Sequence, residues 1–162
     1  MCIRDSYNHN ATNFYKADAF RSSDHDPLIV GMQTAGTTTL NLLNINDFHG
    51  RIDANTVKFA GTIEQQRAAY GDANSLFLSA GDNVGASLFA SATQDDKPTL
   101  DVLNALELSA SATGNHEFDK GYEDLVGRIA KDAKFPYLAA NVYKKGTTTP
   151  ALPEYQLSLI HI

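Results

Sequence analysis

Apolar and polar residues alternate along the chain in runs that predict strands separated by helices. Four apolar runs have the length of buried strands, and they cover residues 40–47, 74–82, 109–113 and 136–143. Apolar residues recur with a helical period over residues 98–108 and 122–133, and residues 57–70 predict a third helix, which Gly61 weakens. Because strands and helices alternate, the pattern predicts an α/β fold of βαβ units with a mainly parallel sheet.

Two polar stretches of small residues divide the chain. Residues 33–39 (QTAGTTT) carry no apolar period and predict a linker, whereas residues 144–150 (KKGTTTP) predict a surface loop. Residues 7–32, before the linker, end in a short apolar run after Pro27 that predicts one strand. We therefore expect a separate piece with one strand at 7–32 and a domain at 40–156.

The two ends of the chain are expected to be adapter scars. The first residues, MCIRDS, can be encoded by ATG TGT ATA AGA GAC AG and one further base, and the last, LSLIHI, by CTG TCT CTT ATA CAC ATC. These strings are reverse complements over almost their whole length and resemble the transposon end used in sequencing libraries. Residues 1–6 and 157–162 are then foreign, the authentic part is a fragment, and Cys2 carries no information on redox environment.

Composition and charge restrict the function. Apolar residues make up 43% of the chain, and no apolar run approaches the roughly 18 residues of a membrane span. The formal net charge of −6 argues against a surface that binds nucleic acid by neutralising phosphates. An acidic protein that acts on phosphate esters would need positive charge in another form, which bound metal ions would supply. No pattern predicts the oligomeric state.

Distinctive polar residues follow three of the predicted strands. NDFHG follows the first, GDN the second and GNHEFD the third. Parallel strands end at one edge of a sheet, so we expect these groups to lie together. Taken alone, an Asp-x-His pair or a Gly-Asp turn is more often solvated turn chemistry than a site. Their order at three successive strand ends is what predicts a site.

The residue types at these strand ends suit metal ions. Asp47 and His49 are two positions apart, so an extended backbone would aim both side chains the same way and Phe48 back into the structure. Asp82 offers two carboxylate oxygens, and Asn115 offers a neutral carbonyl oxygen. This mixed nitrogen and oxygen set, without thiolates, predicts zinc, manganese or iron rather than a cysteine-rich structural site.

Three motifs resemble those of a known enzyme family. INDFHGRID, LFLSAGDNVGAS and ATGNHEFDKGYEDL are similar in order and spacing to the first three motifs of the calcineurin-like metallophosphoesterases. More narrowly, they resemble the 5′-nucleotidase and 2′,3′-cyclic-nucleotide phosphodiesterase family, as does FPYLAANV after them. The resemblance spans residues 40–143 and implies an incomplete metallophosphoesterase sandwich that hydrolyses nucleotide phosphate esters.

The resemblance implies a role for each matching residue. Asp47 and His49 would hold the first of two divalent ions, zinc, manganese or a similar metal. Asp82 would bridge both ions, and Asn115 would bind the second. The two ions would assist the attack of water on phosphorus.

The same motifs imply a catalytic pair. His116 would stabilise the transition state or protonate the leaving oxygen, with Asp119 paired to it. Glu117 has no matching role and is expected to be a solvated or structural acid. The family's downstream histidines and its C-terminal substrate domain have no match in this chain. We therefore expect the chain by itself to bind metal weakly and to hydrolyse phosphate esters poorly or not at all.

FRSSDHDPLIV, ahead of the linker, resembles the closing motif of the exonuclease–endonuclease–phosphatase superfamily, whose fold is an α/β sandwich. The resemblance implies that residues 7–32 are the remnant of a second α/β domain. His25 would then act as a general base or phosphate stabiliser, and Asp24 would orient it or support a Mg²⁺ site. A plain turn before Pro27 is the alternative. The resemblance implies a nuclease-like domain joined to the nucleotidase-like one, with nucleic acid as a further partner. Such fusions resemble secreted bacterial nucleases, so we expect a periplasmic or extracellular location.

Two alternatives to a nucleotide phosphoesterase remain open. Sugar phosphates, cyclic nucleotides or sulfur esters are substrates of enzymes with similar first motifs. The segment could also be a non-catalytic binding domain on a degenerate phosphoesterase fold. The intact motif residues speak against such decay.

Overall fold

In the computed structural model, which describes residues 39–158, four strands form one sheet. The strands are β1 (Asn41–Ile45), β2 (Ser75–Ser79), β3 (Ala110–Ala112) and β4 (Tyr137–Leu138). They pair in chain order, and every pair is parallel. The predicted α/β class is confirmed, and the polar ends of the predicted strands fall in the loops that follow them.

Helical segments connect the strands. They are α1 (Thr56–Tyr70), α2 (Phe89–Ala92), α3 (Lys97–Ala105), α4 (Tyr122–Asp124) and α5 (Ala130–Asp132), with 3₁₀ turns at Asp72–Asn74 and His116–Phe118. The helices predicted over 57–70 and 98–108 correspond to α1 and α3. Pro98 lies in the first turn of α3, where its missing N–H removes no helical hydrogen bond. The short helix α2 was not predicted.

The helix predicted over 122–133 contains a π-helical turn. The chain runs from α4 through this turn, Leu125–Ile129, directly into α5. Leu125 and Ile129 are both buried and lie four positions apart. That spacing suits an α-helical and a π-helical turn alike, so the apolar period predicts a helix without distinguishing the two geometries.

The core lies between the sheet and the helices. Phe77 of β2, Leu103 of α3 and Leu125 are each 0% exposed. In a sheet whose order follows the chain, right-handed crossovers bring the connecting helices to one face. Leu43 of β1 packs against this core, whereas Leu42, on the other face of the strand, is 43% exposed. The sheet thus buries its helical face and presents the carboxyl ends of its strands at one edge.

The last predicted strand is shorter than expected. β4 covers only Tyr137–Leu138 of the predicted 136–143. Beyond it the chain bonds to a returning segment rather than to β3, because the N–H of Ala139 donates to the carbonyl of Pro153 at 3.0 Å. Residues 144–150 form the expected exposed loop.

Several predictions concern residues outside the described range. The expected strand at 28–32, the linker as far as residue 38, the Asp24 and His25 motif and the scar at 1–6 all lie there. The scar expected at 157–162 is described only as far as residue 158. Within residues 39–158, no helix combines the length and apolar character needed to cross a bilayer.

Candidate metal centre

Backbone hydrogen bonds hold the loop after β1 against the loop after β2. The N–H of Asp47 donates to the carbonyl of Gly81 at 3.2 Å. The N–H of His49 donates to the carbonyl of Asp82 at 2.9 Å. Both loops begin at the carboxyl ends of neighbouring parallel strands, so these bonds bring Asp47 and His49 beside Asp82.

The backbone at these residues is left-handed. The φ angle is +52° at Asp47, +46° at His49 and +52° at Asp82. The expected extended backbone at Asp47 and His49 is therefore wrong, because the loop turns to bond with its neighbour. Phe48 still points inward, with its ring centroid 5.5 Å from that of Phe59. Left-handed backbone costs about 1 kcal/mol per residue that is not glycine, and such strain is typical of functional sites.

The hydrogen bond of the His49 ring directs its second nitrogen at two carboxylates. Nδ1 lies 2.8 Å from the carbonyl oxygen of Gly85, which can only accept, so Nδ1 carries the proton in the neutral ring. Nε2 lies 3.6 Å from Oδ1 of Asp47 and 3.9 Å from Oδ2 of Asp82. A histidine nitrogen and two carboxylates that converge in this way can bind a metal cation together. Metal-ligating histidines have this arrangement.

Gly85 connects His49 to His116. Its φ is +77°, and a Cβ at this position would lie 2.8 Å from Cβ of His116. Its N–H donates to Oδ2 of Asp96 at 3.1 Å, while its carbonyl accepts the His49 proton. Asp96 therefore anchors Gly85, the residue whose carbonyl orients His49.

Asn115 contributes an unsatisfied polar atom. Its Oδ1 is buried and accepts no hydrogen bond from the residues that the structure describes. A buried carbonyl oxygen without a partner is unfavourable in a folded protein. A cation at this point would satisfy it, so the donor set fits the predicted metal ligands.

His116 pairs with Asp119 as expected. Nδ1 of His116 lies 2.9 Å from Oδ2 of Asp119, and its backbone N–H donates to Oδ1 of Asp82 at 2.8 Å. Burial lowers the pKa of His116, but the hydrogen bond to Asp119 and the nearby carboxylates outweigh this effect, so the pKa lies above its ordinary value. The rings of His116 and His49 meet edge to face, with centroids 4.9 Å apart.

Glu117 is the residue that sequence reasoning left without a function. It is 1% exposed, so it is a structural rather than a solvated acid. Its carboxylate accepts the N–H groups of Asp82 at 3.0 Å, Asn83 at 2.8 Å and Gly114 at 2.7 Å. Burial and the Asp82 charge raise the pKa of Glu117 to about 7, and these three hydrogen bonds oppose that rise. The only sequence signal for it was an acid inside GNHE.

A cavity of about 170 Å³ opens beside His116 and Asp119. Two cationic side chains line it, and both are engaged: Lys120 with Asp95, and Arg128 with Asp124. The cavity therefore offers space next to His116, and neither Lys120 nor Arg128 contributes an unpaired positive charge to it.

The structure brings together Asp47, His49, Asp82, His116 and Asp119. One ligand atom each from His49, Asp82 and His116 lie within 4.8 Å of one another, so this group is a candidate site for a divalent cation. Sequence reasoning placed His116 on the phosphate rather than on a metal, and its position next to His49 is compatible with either contact. Asp24 and His25 lie outside the described residues.

Comparisons with known proteins agree with this geometry. No family model matches the chain. A protein of Acinetobacter calcoaceticus named for the pqq-V 5′ region is 30% identical over 160 residues, covering 74% of this chain and 78% of that protein. Human 5′-nucleotidase is 32% identical over 126 residues, covering 69% of this chain and 22% of the human protein.

A third relative is a nuclease. Endonuclease YhcR of Bacillus subtilis is 31% identical over 144 residues, which cover 73% of this chain and 12% of that protein. This chain therefore spans only a small part of the named enzymes, although it spans most of the Acinetobacter relative. Together with the parallel sheet and the polar groups at its carboxyl edge, these similarities show that the chain belongs to the 5′-nucleotidase-like metallophosphoesterases.

Proposed function

We propose that this chain carries part of a metal-dependent site that hydrolyses phosphate esters of nucleotides. The observation behind this proposal is that His49, Asp82 and His116 bring one ligand atom each within 4.8 Å of one another, which puts two proposed metal ligands beside the proposed proton donor. Asn115, with its buried and unsatisfied Oδ1, supports a cation at the same edge. Nitrogen and oxygen ligands without thiolates suit zinc, manganese and similar ions.

Two ions would share these ligands. Asp47 and His49 would hold one ion, Asn115 the other, and Asp82 would bridge them. The oxygens of Asp82 have different neighbours: Oδ2 lies 3.9 Å from Nε2 of His49, and Oδ1 accepts the backbone N–H of His116 at 2.8 Å. A carboxylate oxygen has more than one acceptor position, so Oδ1 can keep this bond and still bind a cation.

His116 would act on the phosphate. When bound, the two ions would neutralise phosphoryl oxygens and lower the pKa of an attacking water. Asp119 accepts a hydrogen bond from Nδ1–H of His116. In the imidazolium form the second proton is therefore on Nε2. The raised pKa of His116 favours that form. Nε2 can then donate to a phosphoryl oxygen or protonate the leaving oxygen, and Asp119 is the group that orients it.

Nucleotides are the substrates we favour, because the human relative is named a 5′-nucleotidase. Phosphate esters of other alcohols are the alternative. For residues 7–32 we propose the end of a nuclease-like domain, in which Asp24 and His25 would serve a Mg²⁺ site. The relative named an endonuclease supports a link between the two activities. We also propose a location outside the cytoplasm, because fusions of this kind resemble secreted bacterial nucleases.

Hydrolysis of phosphate esters tests the proposal. The protein to be used is the longer one that the parent DNA is expected to encode around this chain. We expect Mn²⁺ to support hydrolysis of AMP in preference to glycerol phosphate. His116→Ala should lower kcat by about 100-fold or more, as expected for loss of a proton donor, with Mn²⁺ affinity within about threefold. Glu123→Gln, a change at an exposed acid on α4, is the matched control and should leave both unchanged.

Two outcomes would contradict the proposal. Mn²⁺ binding without turnover of any phosphate ester would favour a non-catalytic domain. If both Asp82→Asn and His116→Ala keep normal turnover, the candidate site does not catalyse the reaction.

A further inference from the structure

Glu117 is a buried acid that the proposed chemistry does not use. It lies on the 3₁₀ turn after β3 and is 1% exposed. The hydrogen bonds found for its carboxylate come from three backbone N–H groups. Filling the core does not require such a group, since an apolar side chain would occupy the space without desolvating an acid.

The three N–H groups belong to two different loops. Oε1 accepts from Asn83 at 2.8 Å, in the loop after β2. Oε2 accepts from Asp82 of that loop at 3.0 Å and from Gly114 of the loop after β3 at 2.7 Å. One oxygen atom therefore joins the loop that carries Asp82 to the loop that carries Asn115 and His116.

A second bond closes a ring between the loops. Oδ1 of Asp82 accepts the N–H of His116 at 2.8 Å, while Glu117 accepts the N–H of Asp82. The two backbones also touch, because a Cβ on Gly81 would lie 2.5 Å from the nitrogen of Gly114. The spacing of the proposed ligands on the two loops is thus set by this ring rather than by apolar packing.

From this ring we infer that Glu117 is a positioning residue, which fixes Asp82 against Asn115 and His116 at the separation that metal binding requires. The inference rests on the proposed function, since it assigns a role within the same site. A carboxyl group suits this task because both of its oxygens can face N–H donors. Glutamine would turn an NH₂ group toward at least one of those donors.

Glu117→Gln is the decisive variant, made in the protein that the parent DNA encodes around this chain, with Leu103→Ala as its matched control. Leu103 is 0% exposed and lies on α3, outside both loops, so its truncation lowers stability without removing a hydrogen bond of the ring. Both variants are compared under conditions where circular dichroism shows them folded. We expect Glu117→Gln to weaken Mn²⁺ binding in calorimetry by about 10- to 100-fold, and Leu103→Ala to change it by less than about threefold.

Amide hydrogen exchange gives a readout that needs no metal. In the metal-free chain, Glu117→Gln should speed exchange selectively at Asp82, Asn83 and Gly114, whereas Leu103→Ala should not. Equal loss of Mn²⁺ affinity in the two variants, or unchanged exchange at these amides, overturns the inference. If the unmodified protein that the parent DNA encodes around this chain binds no Mn²⁺, the proposed function and the metal half of the inference both fail, and the exchange pattern decides whether Glu117 joins the loops.

Discussion

Helix α1 and the loops at the carboxyl edge of the sheet are stabilised in different ways. α1 has two buried residues, Ile63 and Arg67, and Val57 in its first turn is 81% exposed. In the edge loops, Asp82 and Asn83 are 2% and 0% exposed although both are polar. The helix satisfies its own backbone, whereas each loop depends on donors and acceptors of the other loops.

This difference governs tolerance to substitution. Side chains on the exposed face of α1 meet solvent, so a change there affects only helix propensity. In the loops, backbone atoms of distant segments lie in direct contact, and one added methyl group displaces a proposed ligand. Stability and metal binding should therefore be coupled in the loops and independent in α1.

Gly114→Ala should have the largest effect. A Cβ at this position would lie 2.7 Å from the backbone nitrogen of Asp82, and a backbone atom cannot turn aside as the end of a flexible side chain can. We expect a loss of about 3 kcal/mol in the free energy of unfolding and loss of Mn²⁺ binding. Urea titration followed by circular dichroism measures the first and calorimetry the second. A loss below about 1 kcal/mol would show that the loops can separate without cost.

Asp96→Ala should have the next largest effect. Asp96 accepts from the N–H of Gly85 at 3.1 Å and from Oγ of Ser91 at 2.7 Å. Its φ of +61° suits aspartate or asparagine better than alanine. We expect a loss of about 2 kcal/mol in the free energy of unfolding. Mn²⁺ binding should also weaken, because Gly85, whose carbonyl orients His49, loses its hydrogen bond to Asp96. Asp96→Asn keeps an acceptor and should cost less than about 1 kcal/mol; equal losses would contradict this role.

The sequence predicted the regular parts of the molecule well. β1, β2 and β3 follow from apolar runs and α3 from helical spacing, because these elements depend on neighbouring residues, and α1 lies where a helix was predicted. The shortness of β4 and the π-helical turn at Leu125–Ile129 depend on contacts with distant segments. Local pattern carries no record of such contacts.

The sequence predicted which residues of the candidate site lie together, but not the backbone conformation that holds them. Parallel strands bring their carboxyl ends together, which was enough to expect Asp47, His49 and Asp82 at one edge. The left-handed backbone there comes from hydrogen bonds to the next loop, and no local signal revealed it. Glu117 shows the same limit. The motif GNHE does not distinguish a solvated acid from one that accepts hydrogen bonds from three N–H groups of two loops.

Arg67→Ala tests the buried side of α1. The Arg67 guanidinium donates to the carbonyl of Leu106 at 2.6 Å and to Oε1 of Glu64 at 2.9 Å. Removing it leaves the buried end of α3 without this donor, so we expect a loss of about 1.5 kcal/mol with Mn²⁺ affinity unchanged. Glu64→Ala removes only an exposed partner and should cost less than about 0.5 kcal/mol. Altered Mn²⁺ affinity in Arg67→Ala would mean that α1 is coupled to the edge loops.

Gly61→Ala tests the exposed side of α1 and should have the smallest effect, with the opposite sign. A Cβ at Gly61 would meet no atom within 4 Å, and the residue lies inside the helix. Alanine loses less backbone entropy than glycine on entering a helix, so we expect a gain of about 0.5–1 kcal/mol in the free energy of unfolding. Gly61→Pro is the control and should cost about 3 kcal/mol, because it removes a helical N–H. A loss of stability in Gly61→Ala would show that this face of α1 is covered in solution. The different effects at Gly61 and Gly114 would then depend on what each glycine contacts, and not on whether it lies in a helix or in a loop.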